Sequence, residues 1–195
     1  RAMMVLRANA LAKGVSGCRP LIVDTLLAML NKGVIPMVPT QGSCGSSGDL
    51  APLAHLGLAI ADGDHGRVRV DGVELSAAEG MMQAGIGRIT LEAKDGLAIT
   101  NGAQLTTAIG ALALHDAISL VEAAELAAAM SIEALRGASR AFTESVHRLR
   151  PYKGAIATAA NLRCLMAGSA LIDSMPEELQ DAYSLRCTPQ VVGAC

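Results

Sequence analysis

The sequence predicts a mainly α-helical protein, and three observations carry that expectation. Apolar residues recur at helical spacing along most of the chain. One Ala/Leu-rich run, 104–136, is apolar on nearly every face, as a buried bundle helix would be. Aromatic residues are only 2% of the total, so the core must be built from Ala, Leu, Ile, Val and Met, which suit closely packed helices.

The elements follow in order. Met4, Val5, Ala8, Leu11 and Ala12 mark a first helix over 1–13, ended by Gly14. Pro20 opens a second, which Asn31-Lys32-Gly33 stops. Residues 34–48 hold Pro36, Pro39, Gly42, Gly45 and Gly48 and are expected to be a loop of unusual backbone geometry. Asp49 starts a helix to about Ala61. Short alternating runs on either side of Asp71-Gly72 predict a small β-hairpin. Ser76 caps a helix to about Ala84. Residues 96–102 form a polar interruption before the long helix, and shorter helices are expected near 139–148 and 153–172.

The chain has 195 residues, enough for one domain with a sizeable core. It opens on Arg1 inside a helical pattern and stops at Cys195 after an apolar run. Residues 1–195 are therefore expected to be a single truncated portion of a domain. The net charge of −2 with no dominant basic patch argues against nucleic acid as a partner. The most apolar stretch, 103–130, is interrupted by Gln104, His115, Asp116, Glu122 and Glu125, so no membrane span is expected. Cys18, Cys44, Cys164, Cys187 and Cys195 match neither a disulfide framework nor a zinc site. They suggest mostly buried, reduced thiols in a cytoplasmic protein. With no ligand-spaced cluster, no metal is expected, and His55 and His115 read as structural histidines. Met3, Met4, Met81 and Met82 read as core filler.

The segment that carries chemistry is Gly42-Ser43-Cys44-Gly45-Ser46-Ser47-Gly48-Asp49-Leu50-Ala51-Pro52-Leu53-Ala54-His55. If the Gly48 amide nitrogen attacks the Ser46 carbonyl carbon, a five-membered ring closes, and glycine permits the necessary backbone fold. Loss of one water makes an imidazolone. Loss of the Ser47 hydroxyl with its α-proton, as a second water, leaves an exocyclic methylene, a strong electrophile. Asp49 is placed to help move protons, and the positive end of the following helix favours negative charge at the ring. Taken alone, Ser-Ser-Gly-Asp is more often a turn leading into an Asp-started helix.

The whole segment resembles the signature of the ammonia-lyases and aminomutases that use 4-methylideneimidazole-5-one (MIO). In that family the first ring residue is usually Ala, where this chain has Ser46. The opening residues 1–18, the run from Asp95 through Asn101 to Gln104 and the run Gln180-Asp181-Ala182-Tyr183-Ser184-Leu185-Arg186-Cys187-Thr188-Pro189-Gln190 are similar to further family stretches, in the same order. The resemblance implies the family's helical-bundle, ammonia-lyase-like fold with a Gly/Ser-rich MIO loop. It also implies an MIO group made autocatalytically from Ser46, Ser47 and Gly48, with Asp49 and Tyr183 as further catalytic residues. Asn101 and Gln180 would make polar contacts to substrate, and Arg186 would bind its carboxylate. Each of these residues has a plainer reading when taken alone: a turn Asn, a surface ion pair, an amphipathic core Tyr.

The implied reaction is non-oxidative loss of ammonia from an aromatic L-amino acid, with the β-proton taken by a tyrosine upstream of Arg1. The runs 51–55, 101–104 and 180–183 look more like the histidine lyases than the plant phenylalanine lyases. Tyrosine or phenylalanine ammonia-lyase or an aminomutase is the alternative within the family. A non-catalytic helical interaction module is the alternative outside it, and retention of Ser47, Gly48, Asp49, Tyr183 and Arg186 together argues against that. The family also implies a homotetramer with a small-molecule amino acid substrate, and the fragment by itself is expected to be inactive.

Overall fold

The computed structural model describes residues 1–45 and 48–195. It divides into two compact units, Arg1–Leu112 and Ala113–Cys195.

The first unit opens with helices α1 (Ala2–Leu11) and α2 (Pro20–Asn31). The buried face of α1 is Met3, Met4, Arg7, Ala8 and Leu11, an amphipathic stripe with one guanidinium set into it. Pro20 occupies the first turn of α2, where its missing N–H costs nothing. A two-residue strand, β1 (Ile35–Pro36), corrects the expectation of a loop throughout 34–48. It pairs antiparallel with β2 (Arg67–Val70), which pairs in turn with β3 (Val73–Ser76). So short a strand leaves no periodicity to read, and it exists because β2 offers it a partner edge. Pro36 is tolerated there because an outer strand needs fewer donors.

The hairpin turn is as expected. Asp71 and Gly72 both have positive φ, at 49° and 84°, as a tight two-residue hairpin turn requires. In β2, Val68 and Val70 point into the core, while Arg67 and Arg69 face solvent. Helix α3 (Leu50–Ile60) is buried on most sides, and α4 (Ala77–Gln83) opens with a complete capping box between Ser76 and Glu79. The polar interruption expected at 96–102 is mostly helical: α5 spans Asp95–Thr100. One and a half turns are too few to show a period. The helix is set by its buried Ala98 and Ile99 and by Arg19, whose guanidinium grips the buried Asp95 carboxylate at 2.6 and 2.8 Å.

The long helix α6 (Gln104–Ala134) matches the expected element closely. Its first turns belong to the first unit and the rest to the second. The second unit continues with a 3-10 turn (Ser139–Phe142), α7 (Glu144–Arg148), α8 (Lys153–Leu165), α9 (Tyr183–Arg186) and α10 (Thr188–Val192). Ala129, Ile132, Phe142, Leu162 and Met166 make its core. Helix α8 stops well short of residue 172, and Gly168 (φ 80°) takes the left-handed backbone that turns the chain away.

Several burial expectations need correction. Met3, Met4 and Met81 are core residues, but Met82, on the outer face of α4, is 76% exposed. His115 is exposed. The buried histidine is His147, whose Nε2 lies 3.1 Å from the Ala141 carbonyl oxygen. All five cysteines are free, but Cys44, Cys164 and Cys195 are exposed. By length and composition Asp95–Ala134 is apolar enough to cross a bilayer, with a mean hydropathy of 1.3 over an 18-residue window, despite the polar residues that interrupt it.

Candidate active site

The Gly/Ser-rich segment follows β1 and ends at α3. The expectations for Ser46 and Ser47 lie outside the described residues. Gly48 and Asp49 are described, and they rest on a second segment, the turn between α5 and α6. The Asp49 N–H donates to the Gly102 carbonyl oxygen at 2.7 Å. Gly48 has φ 122°, and a Cβ there would stand 2.9 Å from that same oxygen. Two stretches of bare backbone therefore lie against each other, which only glycine at position 48 allows.

The Asp49 side chain is fully buried. Its Oδ1 accepts from the Ser43 hydroxyl at 2.6 Å and the Thr106 hydroxyl at 2.8 Å, and its Oδ2 accepts from the Thr106 N–H at 2.8 Å. Burial by itself would raise the Asp49 pKa. The hydrogen bonds from Ser43, Thr106 and the Leu105 backbone outweigh it and hold the carboxyl below its usual range. The carboxylate sits at the N-terminus of α6, where unpaired amides and the helix dipole favour an anion. Asp49 is thus a saturated anion tying the loop to α6. That arrangement suits holding backbone in place better than accepting a proton.

Asn101 closes α5, its N–H bonded to the Leu97 carbonyl, and is solvent-exposed beside Gly102. The structure thus brings Gly48, Asp49 and the Asn101-Gly102 turn together. Arg7, Ser43, Gln104 and Thr106 join them, and the sequence reading assigned none of these four a role at the site. A signal existed for Arg7, an arginine inside the apolar stripe of α1.

Gln180, Tyr183 and Arg186 belong to the second unit. Tyr183 and Arg186 sit one turn apart on α9, and the guanidinium carbon lies 5.1 Å from the ring centroid, a cation–π stack. Tyr183 is 70% exposed, which sets aside its reading as a core residue. Gln180 and Arg186 line one pocket of about 460 Å³ with Asp181 and Arg140. Asp181 anchors that wall by accepting from the Ala138 N–H at 2.8 Å. The Arg186 Nε is buried and has no hydrogen-bond partner among the described residues.

Residues 1–195 match the aromatic amino acid lyase family in full, and the chain belongs to that family. It is 51% identical to the histidine ammonia-lyases of Koribacter versatilis and Alkaliphilus metalliredigens. Each match covers all of this chain and 38% of the relative, so the chain spans little more than a third of their length. Among solved structures, histidine ammonia-lyase from Trypanosoma cruzi superposes with a TM-score of 0.85 at 39% identity, covering 98% of this chain and 35% of that one. Tyrosine aminomutase from Streptomyces globisporus gives 0.89 at 39% identity, covering 99% and 40%. Phenylalanine ammonia-lyase from Rhodosporidium toruloides gives 0.91 at 32% identity, covering 98% and 30%.

Asp49→Asn in the full-length protein should lower stability by about 1–3 kcal/mol, because the carboxylate's hydrogen bonds are charge-assisted. The folded Asp49 pKa lies below the unfolded value of about 3.9. Its contribution is therefore complete above that value and disappears as pH falls through the folded one. Thermal melts of wild type and Asp49→Asn should converge as the pH is taken below about 4. A constant gap in melting temperature across that range would contradict the assignment.

Proposed function

We propose that the protein containing this chain is a carbon–nitrogen lyase that eliminates ammonia non-oxidatively from L-histidine, giving urocanate, at an MIO group derived from Ser46, Ser47 and Gly48. The observation that carries the reading is the 51% identity, over the whole of this chain, with histidine ammonia-lyases. The geometry around Gly48 supports the MIO part. The left-handed backbone there, pressed onto Gly102, is a place where a side chain does not fit and where the Gly48 nitrogen is held in a bent loop. The group supplies an electrophilic methylidene that lets the substrate's amino group depart as ammonia.

The chain's own residues bind and orient. The Arg186 guanidinium takes the substrate carboxylate in a two-pronged grip. Tyr183, stacked on Arg186, orients the reacting group or relays a proton with its hydroxyl. Asn101 presents its amide from the turn on which Gly48 rests, and Gln180 adds a polar contact from the wall it shares with Arg186. Asp49 keeps the loop in register. An aminomutase is the second reading, favoured by the 39% identity to tyrosine aminomutase. A β-amino acid among the products, in place of urocanate alone, would decide for it.

The assembly reading rests on α6. Ile109, Leu112, Leu114, Ile118, Leu120 and Leu126 are all more than half exposed, an apolar surface that calls for protein cover, from other subunits or, in the plainer alternative, from the rest of a longer subunit. We assign this face to contact between subunits of a cytoplasmic homotetramer, with active sites drawing on more than one chain.

Three outcomes are expected of the full-length protein. Ser47→Ala removes the hydroxyl that must leave, so intact mass should lose its deficit of two waters, about 36 Da, and turnover should vanish. Wild-type turnover in that variant would end the MIO reading. Arg186→Lys keeps the charge but not the fork, and kcat/KM should fall about 10- to 100-fold with the mass deficit retained. No change would remove Arg186 from the site. Light scattering should give the mass of four chains for the active species, and an active single chain would refute the assembly.

A further inference from the structure

A buried arginine that pairs with no carboxylate is an unusual thing to retain in a helix stripe, since an apolar side chain would fill the space without the desolvation cost. Arg7 is such a residue. It is 5% exposed, and among the described residues no carboxylate pairs with it. Its Nη1 donates to the Gln104 side-chain oxygen at 2.9 Å, and its Nη2 donates to the Ala98 carbonyl. Burial pulls its pKa below the ordinary arginine value, and among the described residues its Nε has no partner.

The two partners say what Arg7 holds. Ala98 lies in the last turn of α5, and Gln104 is the first residue of α6. Arg7 therefore bridges the two ends of the Asn101-Gly102-Ala103 turn. The position a Gly102 Cβ would take is filled by the Arg7 guanidinium and the Gln104 carboxamide. On its other side Gly102 meets Gly48 and accepts the Asp49 N–H. Gly102 is thus a strip of bare backbone clamped between Arg7 and Gln104 on one side and Gly48 and Asp49 on the other.

We propose that Arg7 is a positioning residue for ring closure: by holding Gly102 against Gly48, it fixes the backbone that carries the Gly48 nitrogen, the atom that must attack the Ser46 carbonyl carbon. The proposal rests on the MIO reading. In the step concerned, the bond from Gly48 nitrogen to Ser46 carbon forms. The Ser46 carbonyl oxygen leaves as one water with the Gly48 and Ser47 amide hydrogens, as a C=N bond forms between the Ser46 carbon and the Ser47 nitrogen, and the Ser47 hydroxyl with its α-proton leaves as the second. No outside reactant is required, so the rate depends on how well the chain holds its own atoms. Without the guanidinium, Gly102 can retreat into the space it filled, and Gly48 loses its stop.

The test uses the full-length protein and follows intact mass at intervals after synthesis, alongside melting temperature. Arg7→Met removes both contacts. Gln104→Leu removes one and leaves Arg7 in place. Arg7→Lys keeps the charge but cannot reach both partners as a fork. Chains lacking the deficit of about 36 Da should accumulate in Arg7→Met, with the dehydrated form appearing on the order of 10- to 100-fold more slowly. Arg7→Lys and Gln104→Leu should fall between it and wild type. The dehydrated chains, once formed, should keep near-wild-type KM, which a general loosening of the fold would not leave intact. Dehydration at the wild-type rate in folded Arg7→Met overturns the proposal. So does dehydration at that rate in Arg7→Lys and Gln104→Leu if Arg7→Met does not fold. A wild-type protein with no mass deficit would instead bring down the MIO reading, and this inference with it.

Discussion

Asp49 is a buried carboxylate with no ion-pair partner among the described residues, and hydrogen bonds from Ser43 and the start of α6 keep it charged. The amides and hydroxyl at the start of α6 supply what a cation would otherwise have to supply. In return the carboxylate satisfies amides that every helix start leaves without partners. Asp49 also stands immediately before α3, so its side chain ties that helix start to the first turn of α6 and fixes the loop that ends at Gly48. The backbone contact between Gly48 and Gly102 follows from that tether, since Asp49 N–H and Gly102 carbonyl meet at 2.7 Å.

The short helix α5 supplies the other half of the arrangement, and long-range contacts hold both of its ends. At its start Asp95 is fully buried and gripped by Arg19 from the head of α2. Near its end Arg7 from α1 takes the Ala98 carbonyl. A helix of six residues has little stability of its own. These two arginines make it a rigid support, and the Asn101-Gly102 turn inherits its position from them. The chemistry proposed for the Ser46-Ser47-Gly48 segment is a reaction of backbone with backbone, so a support made of backbone contacts and buried charges is what it requires.

The second unit is built differently. Its core is small, centred on Phe142, Ile132 and Leu162, and small residues bring its helices together. Gly154 in α8 and Gly193 after α10 approach so closely that a Cβ on either would meet the other's backbone. Glu125 and Glu133 on α6 are tied to Asn161 and Ser169, which fixes α8 and the segment after it on one face of the long helix. Large apolar residues elsewhere on α6, among them Ile109, Leu112, Leu114, Ile118, Leu120 and Leu126, are left exposed. A helix with bare leucines and isoleucines spread around it is shaped for further protein contact.

What the sequence by itself determined were the features whose signals are local. The long helix 104–136 shows in its composition, the hairpin in Asp71-Gly72, the cap of α4 in Ser76 and Glu79, and the unusual loop in Gly42, Gly45 and Gly48. The candidate residues for the site were proposed from the sequence too, because the segments at 42–55, 95–104 and 180–190 resemble stretches of a known family. The tertiary structure alone decided β1, α5, the outward turn of Met82 and the seating of Gly48 on Gly102. It also decided that Asp49 is a tether, and that Arg7, Ser43, Gln104 and Thr106 belong beside it. The physical reason is distance along the chain. Arg7 meets Ala98 across 91 residues and Asp49 meets Thr106 across 57. Contacts of that range leave no periodicity in either segment, because each partner's burial is set by the other.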